Sequence, residues 1–425
     1  MMDQSIINKI TKHYHSITPE DVVGVGYGKK TVGGKLTNED AIVFTVIKKK
    51  PLDEIPEDEV LPSEIQVGEE LLPTDVEEGK YEFASLENAQ WCPSNFYSWD
   101  SVAPGNRDKF RPLQGGISVT NYTNLGNYVG TLGFLAVDTD TNSLVGVSNN
   151  HVLVKNAFLA SERNPDKTHT SISNNFVTQP NDGSNRGLQN SIGLVKRYVP
   201  LSGTPEYNTV DAALTTINES DIDYSVSYKQ YGMNDWLDTL EFASTSEIDS
   251  LLTNRNNLFS TGRTTGPKGE GDSKLFVDST SHSITIKYNN QGVEEVIYFS
   301  DCIRFGASAL TTTEDYWCYY PINGGDSGSA LVADIEGTRK IVGLVFASQS
   351  IKVYITENTY VWRPVRGLAN RIDKVAEQLS ISAWTGNSVY FSDTGSTQLH
   401  IVNGLSDDIN LDLSGDEYWQ AGTID

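Results

Sequence analysis

Ser327 stands in Asn323-Gly324-Gly325-Asp326-Ser327-Gly328-Ser329, a glycine-rich turn that runs straight into the apolar stretch Ala330-Leu331-Val332. Glycine adopts backbone conformations closed to other residues, so a serine at such a corner offers its hydroxyl with little steric cover. Acyl transfer to that hydroxyl also needs a base to take the proton, a carboxylate to fix the base, and amide donors where negative charge develops. His151 is the expected base: Leu144-Val145-Gly146-Val147-Ser148 reads as a strand that runs out into Asn149-Asn150-His151. Asp211 opens the apolar run Ala212-Ala213-Leu214, where a low dielectric would strengthen its hold on an imidazole N–H. The backbone N–H groups of Gly325 and Ser327 are the expected oxyanion donors, each worth ~3 kcal/mol in such sites.

Other residues that could do chemistry have blander readings. His13 and His15 lie on a predicted helix, and His169, His282 and His400 sit in polar surroundings, so all five are expected at the surface. Asp138-Thr139-Asp140-Thr141-Asn142 mimics half a calcium loop, but Ser143 stands where glycine is needed and Asn149 where glutamate is, which favours a hairpin turn. Gly24-Val25-Gly26-Tyr27-Gly28-Lys29-Lys30 lacks phosphate-loop spacing and reads as a glycine-bearing strand. The cysteines Cys92, Cys302 and Cys318 are odd in number and lack Cys-x-x-Cys spacing, so no zinc site and at most one bridge are expected. No cofactor and no metal are expected.

The elements that must position these residues are mainly strands. Short Val/Ile/Thr/Tyr runs separated by Asn, Asp and Gly recur through the chain. Residues 5–17 place Ile6, Ile7, Ile10, Tyr14 and Ile17 at helical spacing, with strand-like runs at 22–30 and 40–49 behind them, which predicts a small α+β module. Residues 51–79, rich in Pro, Glu and Asp, read as ordered loops of that module or as a linker. From about residue 111 two groups of strands follow, the first over 115–217 and the second over 275–347, which fits two β-barrels in tandem. Leu368, Ile372, Val375, Ala376 and Leu379 share a face and predict a helix over 367–379, before an acidic, turn-rich tail. The division expected is 1–90 for a module that regulates access or assembly, 91–110 for a linker, 111–235 and 236–366 for the barrels, and 367–425 for helix and tail.

The chain has 425 residues, 32 Lys plus Arg and 56 Asp plus Glu, for a formal charge of −24. That charge repels phosphate backbones and anionic lipid, so neither nucleic acid nor membrane is an expected partner. The N-terminus reads without a basic flank or apolar core, and no stretch of 18 uninterrupted apolar residues follows, so the expected location is cytoplasmic.

The segments of His151, Asp211 and Ser327 resemble the chymotrypsin/trypsin-like serine peptidases, in which histidine, aspartate and serine follow in that order and the serine lies in Gly-Asp-Ser-Gly. A closer resemblance is to the intracellular bacterial and plant trypsin-like proteases that include the plant narrow-leaf proteins. It rests on Val22-Val23-Gly24-Val25-Gly26, Gly130-Thr131-Leu132-Gly133, Ser148-Asn149-Asn150-His151-Val152-Leu153, Val210-Asp211-Ala212-Ala213-Leu214, Gly262-Arg263-Thr264-Thr265-Gly266 and Gly325-Asp326-Ser327-Gly328-Ser329, and spans roughly residues 20–370.

The resemblance implies two six-stranded antiparallel barrels, with the histidine and aspartate in the first and the serine in the second. It implies an endopeptidase acting on protein or peptide, with a homo-oligomer or a regulatory protein partner compatible with the N-terminal module. Pro321 falls at the base of the primary specificity pocket and Ala347 and Ser348 in its walls, so cleavage after Arg or Lys is not expected. No buried activation site precedes the first barrel, and Asp326 is expected to serve as a turn-stabilising acceptor. Two rival functions are an esterase of the α/β-hydrolase kind, opposed by Ser329 and by the position of His151 ahead of the serine, and a protease-like scaffold used for binding.

Overall fold

The computed structural model describes residues 4–17, 21–32, 35–84, 108–122, 129–154, 176–180, 190–222, 241–253, 257–269, 274–290, 293–307, 320–356 and 359–384. The fold is mainly β. Ile117–Asn121 pairs with Val129–Leu132, Phe134–Asp138 pairs with Ser143–Ser148, and only Gly133 separates the middle two, so they act as one bent strand. Ser143–Ser148 pairs on with Ala213–Thr216, then Ser191–Tyr198, then Phe176–Thr178, which returns to Ile117–Asn121. Every pairing is antiparallel, and with the bent strand counted once the ring has six strands. Its interior holds Ile117, Val119, Leu132, Leu153, Ile192 and Tyr198, all with little or no exposure.

The second ring runs Leu258–Gly262, Ala330–Ile335, Thr338–Thr356, Thr359–Arg371, Val293–Ala307 and Leu275–Asn290, and closes where Leu275 pairs back with Leu258. It too is antiparallel throughout. Closure leaves neither barrel with an open strand edge, which would otherwise recruit another chain. Between the barrels Phe134, Val147 and Leu214 of the first meet Leu331 and Leu344 of the second, and Ile372 just beyond it, in one apolar cluster. Burial of each such side chain contributes about 1.5–3 kcal/mol, so this cluster sets the barrels against each other and with them the two halves of the site.

Four strands of the second barrel overrun it as two long ribbons. Val22–Val32 pairs along Leu275–Asn290, and Lys35–Val46, Glu70–Glu78 and Glu64–Val67 extend the same sheet. Helix Gln4–Ile17 lays Ile7 on Val22, Val25, Ile42 and Phe44. The acidic stretch after residue 51 thus contributes two paired strands rather than loops alone. Next, Lys80–Phe83 lies between the ribbons as a further strand of that sheet, with Tyr81 beside Ile286 on one side and residues 80–83 antiparallel to residues 347–350 on the other.

The helix expected over 367–379 begins only at Ile372, because residues 367–371 are the end of strand Thr359–Arg371. Gly367 to Asn370 pair with Val293–Ala307 on one side and Thr338–Thr356 on the other, and two rows of backbone hydrogen bonds outweigh the helical spacing of the side chains. Helix Ile372–Leu379 ends at Ser380 in the left-handed region (φ 50°). Ile381–Ala383 then joins Phe134–Asp138 of the first barrel. Most of the expected linker and all of the acidic tail from residue 385 fall outside the described residues.

Candidate active site

His151 sits in the short helix Asn150–Leu153 where strand Ser143–Ser148 ends, and it is 2 % exposed. Its Nδ1 makes a short hydrogen bond to Asp211 Oδ2, and its backbone N–H donates to Asp211 Oδ1 at 3.2 Å. Both oxygens of the carboxylate therefore grip one residue. Asp211 is fully buried, its own N–H donating to Asn370 Oδ1 (2.9 Å) and its carbonyl accepting from Asn149 Nδ2 (2.7 Å). With Nδ1 committed to the carboxylate, Nε2 is the ring nitrogen left to accept a proton, and among the described residues it has no hydrogen-bond partner.

Ser327 lies on the turn between Pro321 and Ala330, with Gly325 at φ 96° and Gly328 at φ 93°, conformations that favour glycine. Its Oγ donates to the carbonyl of Phe346 at 3.2 Å, so the serine hydroxyl is parked on that carbonyl rather than on His151. Both expected oxyanion donors point at one acceptor. Gly325 N–H and Ser327 N–H donate to the carbonyl oxygen of Ala84 at 2.7 and 3.4 Å.

Asp326 is 2 % exposed and is held largely by main chain: Oδ1 accepts from Thr264 N (2.7 Å) and Thr265 N (3.1 Å), and Oδ2 from Asn323 N (2.8 Å), with the Thr265 side chain also bonded to the carboxyl. Burial pushes its carboxyl above the usual carboxylate range against the pull of those donors. This gives the Gly262-Arg263-Thr264-Thr265-Gly266 segment a role: it is the clamp on the turn that carries Ser327. A Cβ on Gly262 would lie 2.2 Å from Asp326 Oδ1, so only glycine allows the clamp to close.

The first barrel braces the same turn. Thr131 N–H donates to the carbonyl of Ser327 (2.7 Å), Thr131 Oγ1 donates to the carbonyl of Gly325 (3.0 Å), and Arg263 N–H donates to Thr131 Oγ1 (2.9 Å). Gly133, at the bend, comes so close that a Cβ there would meet the carbonyl of Gly328 at 2.3 Å. The Gly130-Thr131-Leu132-Gly133 segment thus joins barrel closure to the placement of the Ser327 turn.

Of the expected pocket residues, Ala347 and Ser348 are buried and pair with Phe83 and Glu82. Pro321 is buried next to Ile322, which shares an apolar cluster with Ala84. Ala84, Thr131, Thr264 and Asn370 were not singled out by sequence reasoning. Thr131 and Thr264 lie in segments that carried the family resemblance, whereas Ala84 had no local signal.

The expectation that all the remaining histidines are surface residues fails for two. His282 is fully buried and accepts or donates a 2.7 Å bond with Tyr81 Oη, while His15 is 6 % exposed and hydrogen-bonds Tyr207 and Thr285. Short polar neighbours can be buried once each finds a partner, which the polar sequence around His282 conceals. Desolvation holds His15 down to about 4 and His282 well below its ordinary value. His13 is exposed as expected, and His169 and His400 lie outside the described residues. Residues 138–142 form the expected hairpin turn, with Asp138 paired to Lys196 at 3.0 Å. Among the described residues no group of His, Cys, Asp or Glu is placed to hold a metal, and no helix is long and apolar enough to cross a membrane.

No family model and no curated protein matches the chain. Among solved structures it is similar to a glutamic-acid-specific serine protease (12 % identity, 64 % of this chain and 100 % of that one, TM-score 0.35). It is also similar to protease A of Thermobifida fusca (14 %, 64 % and 97 %, TM-score 0.34) and to Nocardiopsis protease (14 %, 64 % and 98 %, TM-score 0.35).

Proposed function

We propose that the chain is a serine endopeptidase in which Ser327 is the nucleophile, His151 the base and Asp211 the group that orients the base. The observation that carries this reading is the convergence of Gly325 N–H and Ser327 N–H on a single peptide carbonyl oxygen, beside a histidine gripped by a buried carboxylate. Two amides fixed before reaction stabilise an oxyanion without reorganising, which is how such sites gain most of their rate.

In the reaction Ser327 Oγ leaves the Phe346 carbonyl, gives its proton to His151 Nε2 and adds to the substrate carbonyl carbon. Asp211 keeps the Nδ1 proton in place and offsets the imidazolium charge that results. His151 then protonates the departing amine, and water releases the acyl group by the same steps in reverse. Pro321 in place of an acid supports cleavage after uncharged rather than basic residues. The test is labelling by a fluorophosphonate probe, followed by peptide-library profiling. Labelling of wild type that is lost in Ser327→Ala, with no Arg or Lys preference, is expected; labelling unchanged by the substitution overturns the assignment.

A further inference from the structure

The acceptor between the two amides is not a bound ligand but the chain itself. Residues 80–83 run antiparallel to the strand behind the nucleophile, in the register Lys80 with Ser350, Tyr81 with Gln349, Glu82 with Ser348 and Phe83 with Ala347. Ala84 then donates its N–H to the carbonyl of Phe346 at 3.0 Å and places its own carbonyl oxygen on Gly325 and Ser327. Phe346 O is also where Ser327 Oγ rests, so the nucleophilic oxygen and the Ala84 amide share one acceptor and the Ala84 carbonyl group is bracketed by the turn. Phe83 lies over the imidazole of His151, ring centroids 4.7 Å apart. An extended backbone paired along the cleft, with its last carbonyl in the oxyanion site and its penultimate side chain on the base, is the posture of a peptide about to be acylated at that carbonyl.

The rest of the N-terminal module holds the segment there. Gly24 and Gly26 of strand Val22–Val32 leave bare backbone where a Cβ would strike the Tyr81 ring (2.7 Å) and His282 Nδ1 (1.7 Å). Tyr81 Oη, buried by that arrangement, is bonded to His282 Nε2 (2.7 Å) and to Thr45 Oγ1 (2.8 Å). Gly79 N–H donates to the carbonyl of Val46 at 2.8 Å. A strand that merely completed a sheet would need ladder bonds only; nothing in sheet pairing requires a terminal carbonyl to sit on both amides of a nucleophile turn.

We infer that Lys80–Ala84 is a substrate segment for the chain's own active site, and that Ser327 cleaves the peptide bond between Ala84 and Ser85. The inference rests on the serine-peptidase reading. Ser327 Oγ forms a bond to the Ala84 carbonyl carbon as its proton passes to His151 Nε2. The bond to the nitrogen of residue 85 breaks, and that nitrogen takes the proton and leaves as a free amine. One water molecule, giving a proton to His151 Nε2, then adds to the ester carbonyl; that proton passes to Ser327 Oγ as the ester bond breaks, and the water's second proton is released as Ala84 is left with a carboxylate. The acyl-side preference follows: alanine at the cleaved residue and an aromatic side chain before it. While the segment is in place, Tyr81, Phe83 and Ala84 are each at most 3 % exposed, and the same groove is closed to other peptides.

Full-length wild type and Ser327→Ala, prepared identically and checked for equal melting temperature, are followed by intact mass and N-terminal sequencing, with fluorophosphonate labelling in parallel. Wild type is expected to yield one fragment ending at Ala84 and one beginning Ser85-Leu86-Glu87, at a first-order rate unchanged by dilution. Cleavage in Ser327→Ala is expected to fall at least about 1,000-fold. Wild type that labels at Ser327 but stays intact after Ala84, or is cut only elsewhere, overturns this inference and leaves the peptidase reading standing. Cleavage after Ala84 that persists in Ser327→Ala also overturns it, and wild type that is neither cut nor labelled overturns both.

Discussion

The two halves of the site are held by different kinds of bond. In the first barrel a histidine is fixed by side chains: the Asp211 carboxylate on His151, with the Asn149 and Asn370 amides on the Asp211 main chain. In the second barrel a turn is fixed largely by backbone amides and close approach: Thr264, Thr265 and Asn323 N–H on Asp326, Thr131 N–H on Ser327, and glycines where a Cβ would collide. A side-chain hold is lost by deleting one functional group. Backbone donors cannot be deleted by substitution, so the second half is broken by crowding the chain as well as by loss of the Asp326 carboxylate on which those donors converge.

The largest effect is expected at the side-chain half. Asp211→Asn leaves shape nearly unchanged but removes the charge and favours the wrong imidazole tautomer, and kcat should fall about 10⁴-fold; a steady-state assay on a peptide identified by library profiling checks this, and a fall below tenfold would deny Asp211 its orienting role. At the backbone half, Gly262→Ala removes no functional group, yet its Cβ meets Asp326 Oδ1 at 2.2 Å. It should destabilise the fold by about 1–3 kcal/mol and slow fluorophosphonate labelling of Ser327. Thermal melts and labelling rates read both, and an unperturbed labelling rate would show that the clamp does not position the nucleophile.

The module that presents the cleft segment gives two smaller tests. His15 is held down to about 4 from 6.5 by burial. The unfolded chain binds that proton more readily, so this contribution to stability is complete above about pH 6.5 and is lost as pH falls toward 4, about 3 kcal/mol in all. Melting temperature against pH should flatten across this window in His15→Gln, and an unchanged slope would assign the acid sensitivity to other groups. Tyr81→Phe should cost about 1 kcal/mol by removing the bonds to His282 and Thr45, and should quicken fluorophosphonate labelling as the cleft segment loosens. Slower labelling would contradict the view that this strand covers the cleft.

Strand texture alone foretells two barrels, because alternating β-branched runs and Asn/Asp/Gly breaks are local properties. The bend at Gly133 that closes the first ring is not local: it appears only when residues 129–132 and 134–138 take different partners. The helix expected from residue 367 fails for the same reason, since its first turn is consumed by strand pairing on both sides. His282 reads as a surface residue among serines and threonines, and its burial depends on glycines 24 and 26, which lie far away in the chain. Asp326 was legible as a turn acceptor, whereas its donors at Thr264 and Thr265 were not, because that bond joins two loops with no shared periodicity.

The residue types and order of His151, Asp211 and Ser327, and the glycines that make the turn around Ser327, are properties of the sequence by itself, since chemistry and backbone freedom belong to individual residues. Their assembly is decided by the tertiary structure: which carboxylate grips His151, which loop clamps Asp326, and above all that Ala84 lies on the amides of Gly325 and Ser327. An alanine carries no motif. Its place in the cleft comes from the register of one short strand against another remote in the chain, and register is set by the packing of Tyr81 and Phe83 rather than by any pattern along the sequence.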